Sequence, residues 1–186
     1  MTCADGGYLV CKKAGIKPDA VIGDFDSLTE EQIREIDELG IERIVYPAEK
    51  GETDTLLCVS YGLKLGAAKF LIVGGIGGDF GHTMANIQVL SFLSDMECEA
   101  EITTCSNRLL MVSGAAPMVI NGAPGGKFSV FSYTERCSGV SIKNAKYELN
   151  DAALTQSFPL GVSNEFTEKG PVNIAVKHGR LLVIIG

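Results

Sequence analysis

Two carboxylates one residue apart, Asp24 and Asp26, follow directly on the apolar pair Val21-Ile22 and on Gly23. Valine and isoleucine suit a buried parallel strand, and a glycine lets the chain turn sharply at its end. Both acids are therefore expected at the carboxyl end of a strand, where open α/β sheets hold their ligands. Two hard oxygen donors favour magnesium, which takes one or two protein carboxylates and completes its shell with water and phosphate oxygens. The same spacing also serves an ordinary turn and helix cap, and from this stretch alone both readings stand.

The surrounding periodicities say what positions the pair. Leu9, Val10 and Ala14 form a helical stripe closed by Gly15, with Pro18 leading into the strand that ends at Gly23. Ser27-Leu28-Thr29-Glu30 has the spacing of a capping box, and Ile33, Ile36 and Leu39 mark one helical face ending at Gly40. The aspartates thus lie between a strand and a helix N-terminus, whose free N–H groups and dipole favour phosphate. A strand follows over 41–46, then a helix over 53–65 with Asp54 in its first turn. A strand over 70–73, a glycine-rich loop and a helix over 83–93 come next. Strand–helix alternation of this kind requires crossovers and a mainly parallel sheet with flanking helices.

Beyond Asn107 the texture changes to short alternating runs broken by Gly, Pro, Asn and Ser, which reads as an antiparallel β-sandwich ending in a strand over 180–185. The expected fold class is α/β, an α/β domain over 1–108 followed by a β-sandwich domain over 109–186. No linker tract or internal repeat separates the two.

Composition narrows the function. With 46% hydrophobic and 21% charged residues among 186, the chain has material for an ample core. A net charge of −7 argues against a general nucleic-acid binder. No apolar run is long enough to span a membrane, and the first residues lack the pattern of a secretory signal, so a cytoplasmic protein is expected. The six cysteines include no Cys-x-x-Cys and are expected to be reduced and mostly buried. Gly74-Gly75-Ile76-Gly77-Gly78 invites a nucleotide reading, but it fits neither the P-loop spacing nor the dinucleotide fingerprint, since Phe80 stands where a third glycine would be needed. A tight strand–helix turn accounts for it equally well. Only His82 and His178 are present, which weighs against a zinc centre or a Ser-His-Asp hydrolase.

The order of segments carries more than any one of them. Ala4-Asp5-Gly6-Gly7, Pro18-Asp19 with Gly23-Asp24-Phe25-Asp26-Ser27, and Glu49-Lys50 with Thr53-Asp54 are followed by Gly74 to Gly78 with His82-Thr83-Met84-Ala85-Asn86. Gly161-Val162-Ser163-Asn164-Glu165 comes last. In this order, across nearly the whole chain, the sequence resembles the thiamine pyrophosphokinase (thiamine diphosphokinase) family.

The resemblance implies a transferase that moves a pyrophosphoryl group from ATP to the hydroxyl of thiamine, giving thiamine diphosphate and AMP. It implies Mg²⁺ held by Asp24, Asp26 and Asp54 as the catalytic carboxylates, and ATP bound near Asp5, Thr53, Gly77, Gly78, His82 and Asn86. Ser163 and Asn164 would hold thiamine, in a homodimer with sites at the subunit interface. Alternatives are a pyrophosphokinase for another heterocyclic alcohol, such as a hydroxymethylpterin, and a non-catalytic homologue that binds thiamine or its diphosphate. The family ordinarily has a further strand and a Gly-Gly turn ahead of this point, so an N-terminally shortened copy is expected. Its Lys-Asp-x-Thr-Asp reads here Lys50-Gly51-Glu52-Thr53-Asp54, and its Gly-Gly-Arg-x-Asp-His reads Gly77-Gly78-Asp79-Phe80-Gly81-His82. Aspartate, arginine and aspartate are thereby replaced by Gly51, Asp79 and Gly81.

Overall fold

A computed structural model describes residues 1–186. The chain divides into two compact units, Met1–Ala68 and Lys69–Gly186. In the first, β1 (Thr2–Ala4), β2 (Ala20–Gly23) and β3 (Glu42–Val45) form a parallel sheet in the order β1-β2-β3. Helices α1 (Gly7–Lys13) and α2 (Glu30–Glu38) are the crossovers, and α3 (Asp54–Lys64) packs on β1 and β2. All four residues of β2 are buried, as expected of a central parallel strand covered on both faces. Val21, Tyr8, Phe25, Leu28, Ile36 and Ile41 close the core around it. The capping box at the start of α2 is Thr29 with Gln32, two residues later than Ser27 with Glu30. The Thr29 hydroxyl accepts from Gln32 N, and the Gln32 side chain accepts from Thr29 N.

The second unit begins with β4 (Lys69–Val73), which is joined through α4 (Phe80–Asp95) to a parallel partner, β5 (Glu99–Thr103). The chain then becomes antiparallel: β6 (Arg108–Ser113), β7 (Met118–Ile120), β8 (Lys127–Ser132), β9 (Arg136–Lys143), β10 (Leu149–Thr155), β11 (Asn164–Glu165), β12 (Val172–Ala175) and β13 (Arg180–Ile185). A six-stranded sheet, β11-β8-β13-β6-β5-β4, faces a four-stranded one, β10-β9-β12-β7, across a core that includes Val112, Phe128, Val130, Ile142, Ile174 and Val183.

The expected α/β architecture with a parallel part followed by an antiparallel part is present, with one difference in how the sheets are shared. β4 and β5 do not extend the sheet of β1 to β3; they are hydrogen-bonded into the six-stranded sheet through the antiparallel pair β5 and β6. The outer face of that extension is covered by α4, where Ile87 and Leu90 meet Ile102, Leu109, Met111 and Leu182. Arg180 pins the helix from β13 by ion-pairing with Asp95 and bonding to Ser91. The last strand lies between β6 and β8, in the middle of its sheet. No helix is long and apolar enough to cross a membrane.

Candidate active site

The carboxylates of Asp5, Asp24 and Asp26 come together at the carboxyl ends of β1 and β2, with one oxygen from each within 4.8 Å of the others. Three local features produce this. Asp5 ends β1 by donating its N–H to Ile22 O at 2.9 Å. Gly23 admits the approach, because a β-carbon there would stand 2.9 Å from Asp5 Cβ. Phe25, buried and bulky, is held in the left-handed region at φ 65°. That conformation costs on the order of 1–3 kcal/mol, which burial of the ring in the core offsets. The turn it makes lets Asp26 N–H donate to Asp24 Oδ1 at 3.3 Å.

The three acids are not equivalent. Asp5 is only 4% exposed, and its Oδ1 is buried without a hydrogen-bond partner. Burial pushes its carboxyl up, with Asp54 and Asp26 adding repulsion, although the Ser27 hydroxyl and N–H favour the ionised form. Asp24 is shifted the other way, first by the N–H of Asp26 and further by the Lys50 ammonium. Lys50 Nζ lies 2.8 Å from Asp54 Oδ1 and 3.6 Å from Asp24 Oδ2, with its side chain only 12% exposed. The Asp24 and Asp54 carboxylates are thus no farther apart than those two contacts laid end to end. Thr53 caps α3, its hydroxyl accepting from Leu56 N, and so aims Asp54 from the first turn.

Lys50 has no assigned role in the sequence reading, yet it is the cation that balances this cluster. Its signal was its place four residues before Asp54. Asp5 enters the reading only as a nucleotide neighbour, whereas the fold groups it with the Asp24–Asp26 pair more tightly than Asp54. A buried, unpartnered carboxylate oxygen beside two further carboxylates is a donor set that a hard divalent cation would satisfy, so these residues fit magnesium.

In the second unit the glycine-rich loop is held by side chains of α4. Asn86 Nδ2 donates to Gly75 O at 2.8 Å, and Gly77 N–H donates to Thr83 Oγ1 at 3.2 Å. Gly77 and Gly78 have φ of 114° and 65°, open to glycine and strained for other residues. Asn86 is buried and spent on this latch; His82 is exposed at the mouth of the helix. Asp79 is the N-cap of α4, accepting from His82 N at 2.9 Å, so the helix starts earlier than its apolar periodicity implies. That capping bond gives Asp79 a structural role at the position where the family has arginine.

Asp79→Arg is therefore expected to cost about 1 kcal/mol through loss of the cap. Gly81→Asp is expected to be destabilising while Asp79 is present, because its β-carbon would meet Asp79 Oδ1 at 2.9 Å. With arginine at 79 that clash disappears, so the double variant should cost less than the two singles added. Denaturant unfolding of the cycle checks this, and additivity within about 0.5 kcal/mol would show no such coupling.

At the far end of the chain Ser163 adopts φ 59° with an exposed side chain, its N–H donating to Ser129 Oγ at 3.1 Å. Asn164 is buried and fully engaged. Its Oδ1 accepts from Tyr147 N at 3.0 Å and from Glu165 N at 2.9 Å, and its Nδ2 donates to Tyr147 O at 2.7 Å. It clamps β11 to the 146–147 segment and leaves the Ser163 side chain exposed there, beside the exposed ring of Tyr147, which carries the Lys146 ammonium 5.5 Å from its centre.

Residues 1–102 match the family described as thiamin pyrophosphokinase, catalytic domain, and residues 120–181 match thiamin pyrophosphokinase, vitamin B1 binding domain. The chain belongs to the thiamin pyrophosphokinase family. A curated thiamine pyrophosphokinase from Bacillus subtilis (strain 168) is 29% identical over 161 residues, covering 87% of this chain and 75% of its own length. The crystal structure of thiamine pyrophosphokinase from Bacillus subtilis superposes with a TM-score of 0.89 at 27% identity, over 100% of this chain and 86% of that one. The yeast thiamin pyrophosphokinase structure, at 17% identity, shares the fold with a TM-score of 0.81 over 99% of this chain and 77% of that one. Membership of the thiamin pyrophosphokinase family supports an enzymatic role and pyrophosphokinase-type chemistry in general.

Proposed function

We propose that this protein transfers a pyrophosphoryl group from ATP to the primary hydroxyl of thiamine, releasing AMP. The observation that carries the reading is the acidic cluster of Asp5, Asp24 and Asp26, with its buried, unpartnered Asp5 oxygen and its tethered neighbour Asp54. Asp24, Asp26 and Asp54 are the proposed magnesium and catalytic residues, and the cluster geometry adds Asp5 to them. Bound there, the metal would supply charge neutralisation for the triphosphate.

The chain's own residues do the rest by positioning. In the transfer the hydroxyl oxygen bonds to the β-phosphorus while the bond from that phosphorus to the AMP oxygen breaks, and the hydroxyl proton leaves to solvent. No histidine base is required, since phosphoryl transfer depends on alignment and electrostatics more than on covalent catalysis. Thr53 fixes the angle at which Asp54 enters, and Phe25 fixes the spacing of Asp24 and Asp26. Gly77, Gly78 and His82 are the proposed nucleotide contacts of the second unit, with Asn86 holding the loop that presents them. Ser163 is the proposed thiamine contact, and Asn164 acts by holding the segment around it. The α/β residues 1–108 would supply the metal and nucleotide groups, and 109–186 the thiamine-binding and dimerisation surface of a homodimer.

The test is direct. With magnesium, ATP and thiamine the protein should form AMP and thiamine diphosphate in equal amounts, and chelation should stop both. Preference for a hydroxymethylpterin over thiamine would move the acceptor assignment. Thiamine binding without AMP release would make the chain a non-catalytic binder, with Gly51 and Gly81, where the family has aspartates, as the first places to look.

A further inference from the structure

Cys3 and Cys11 stand with their sulfurs 3.2 Å apart, eight residues apart in sequence. The strand–turn–helix at the start of the chain produces this contact. Cys3 lies in β1, the chain reverses through Asp5-Gly6-Gly7, and α1 packs back on β1 with Cys11 in its second turn. A disulfide places its sulfurs about 2.05 Å apart, so closure needs a shift of roughly 1 Å, within reach of small side-chain rotations. No other two cysteine sulfurs of the chain are in contact. Cys137 is occupied by Ser132, Thr134 and the carbonyl of Arg180, and Cys98 by the carbonyl of Met96.

We propose that Cys3 and Cys11 are a modification site: a dithiol that closes to a reversible disulfide by exchange with a low-molecular-weight disulfide of the glutathione type. The difference in exposure sets the order of events. Cys3 is 4% exposed, while Cys11 is half-buried at the helix surface, so the external disulfide meets Cys11 first. The Cys11 thiolate attacks one sulfur of the oxidant, its own proton having gone to solvent. One thiol of the oxidant leaves and a mixed disulfide remains on Cys11. Cys3, deprotonated in turn, then attacks the Cys11 sulfur and expels the second thiol. Two protein thiols are oxidised to one disulfide and one small disulfide is reduced to two thiols, so electrons and protons balance.

Contact between the two sulfurs favours closure, because an intramolecular attack at a preset distance carries a very high effective concentration. The cross-link would close a short ring around the turn that carries Asp5.

The full chain provides a clean assay, because Lys12 is the first basic residue and trypsin releases Met1–Lys12 with both cysteines on one peptide. The protein is incubated with oxidised glutathione at about pH 8, unreacted thiols are alkylated, and the peptide is weighed. The expected product is the peptide lacking two hydrogens, restored to a doubly alkylated form by dithiothreitol. Cys3→Ser should instead stop at one glutathione on Cys11, and Cys11→Ser should leave Cys3 free to be alkylated only after unfolding. A wild-type peptide that stays doubly alkylated, or that keeps glutathione without closing, overturns the proposal. If Cys3→Ser fails to fold, the wild-type peptide and Cys11→Ser still decide it.

Discussion

Asp24→Asn and Asp26→Asn are each expected to lower magnesium-dependent turnover by on the order of a thousandfold, the equivalent of about 4 kcal/mol of transition-state stabilisation. Each change keeps the side chain's shape and removes a charge from the cluster of Asp5, Asp24 and Asp26. Stability should separate the acids in a way that activity does not. Asp5 has its folded pKa raised, chiefly by burial. Such a group helps folding at low pH, and that help is lost as pH rises through the folded pKa, so at neutral pH the ionised carboxylate opposes folding. Asp5→Asn should therefore raise the metal-free melting temperature, with about 2–4 °C accompanying each kcal/mol in a chain of this size. Asp24 has its folded pKa lowered, first by the Asp26 N–H. Its contribution is present above the unfolded pKa and lost as pH falls through the folded one, so Asp24→Asn should lower the melting temperature at neutral pH. Thermal scans in chelator check both signs. Equal destabilisation of the two variants would mean that the acids serve the fold alike and are not set against one another.

Much of this site was legible because its elements are written locally. Val21-Ile22-Gly23 gave a buried strand with a turn, and the acids after it could only emerge at the strand's end. Thr53-Asp54 read as a helix start, which it is. The parts that could not be read depend on contacts distant in sequence. That Asp5 joins Asp24 and Asp26 follows from β1 pairing with β2, where Cys3 is opposite Val21 and Ala4 opposite Ile22. No periodicity within either segment encodes that register. The placement of β4 and β5 in the sheet of β6 is a similar case, because strand–helix alternation specifies a parallel neighbour without saying which other strands share the sheet. Asp79 shows a third kind of difficulty. Set beside the family's arginine it looks like a reversed charge at a phosphate site, and only the hydrogen bond to His82 N identifies it as a helix cap. Asn164 likewise resembles a ligand contact until both ends of its amide are found on the backbone of Tyr147.

Lys50→Met is expected to have opposite effects on metal binding and on metal-free stability. The Lys50 ammonium sits between Asp54 and Asp24, where it offsets their repulsion when no metal is bound. Methionine fills a similar volume without the charge, so the variant should lose about 1–2 kcal/mol of metal-free stability, a drop of several degrees. A divalent ion entering the cluster must be accommodated beside that ammonium. At an effective dielectric near 20, two unit charges about 4 Å apart interact by on the order of 4 kcal/mol, so relief of the repulsion should tighten metal binding by at least about tenfold even after screening. Titration of Mn²⁺ into wild type and variant by calorimetry measures this directly, and added metal should recover more melting temperature in the variant than in wild type. Turnover at saturating metal supplies an independent arm. A lysine freed from its carboxylates by the metal becomes available to phosphate, so Lys50→Met should still turn over more slowly despite its tighter metal. Weaker metal binding in the variant would instead mean that Lys50 orients Asp24 and Asp54 for the ion. In that case the ammonium is part of the metal site's framework and does not compete for it.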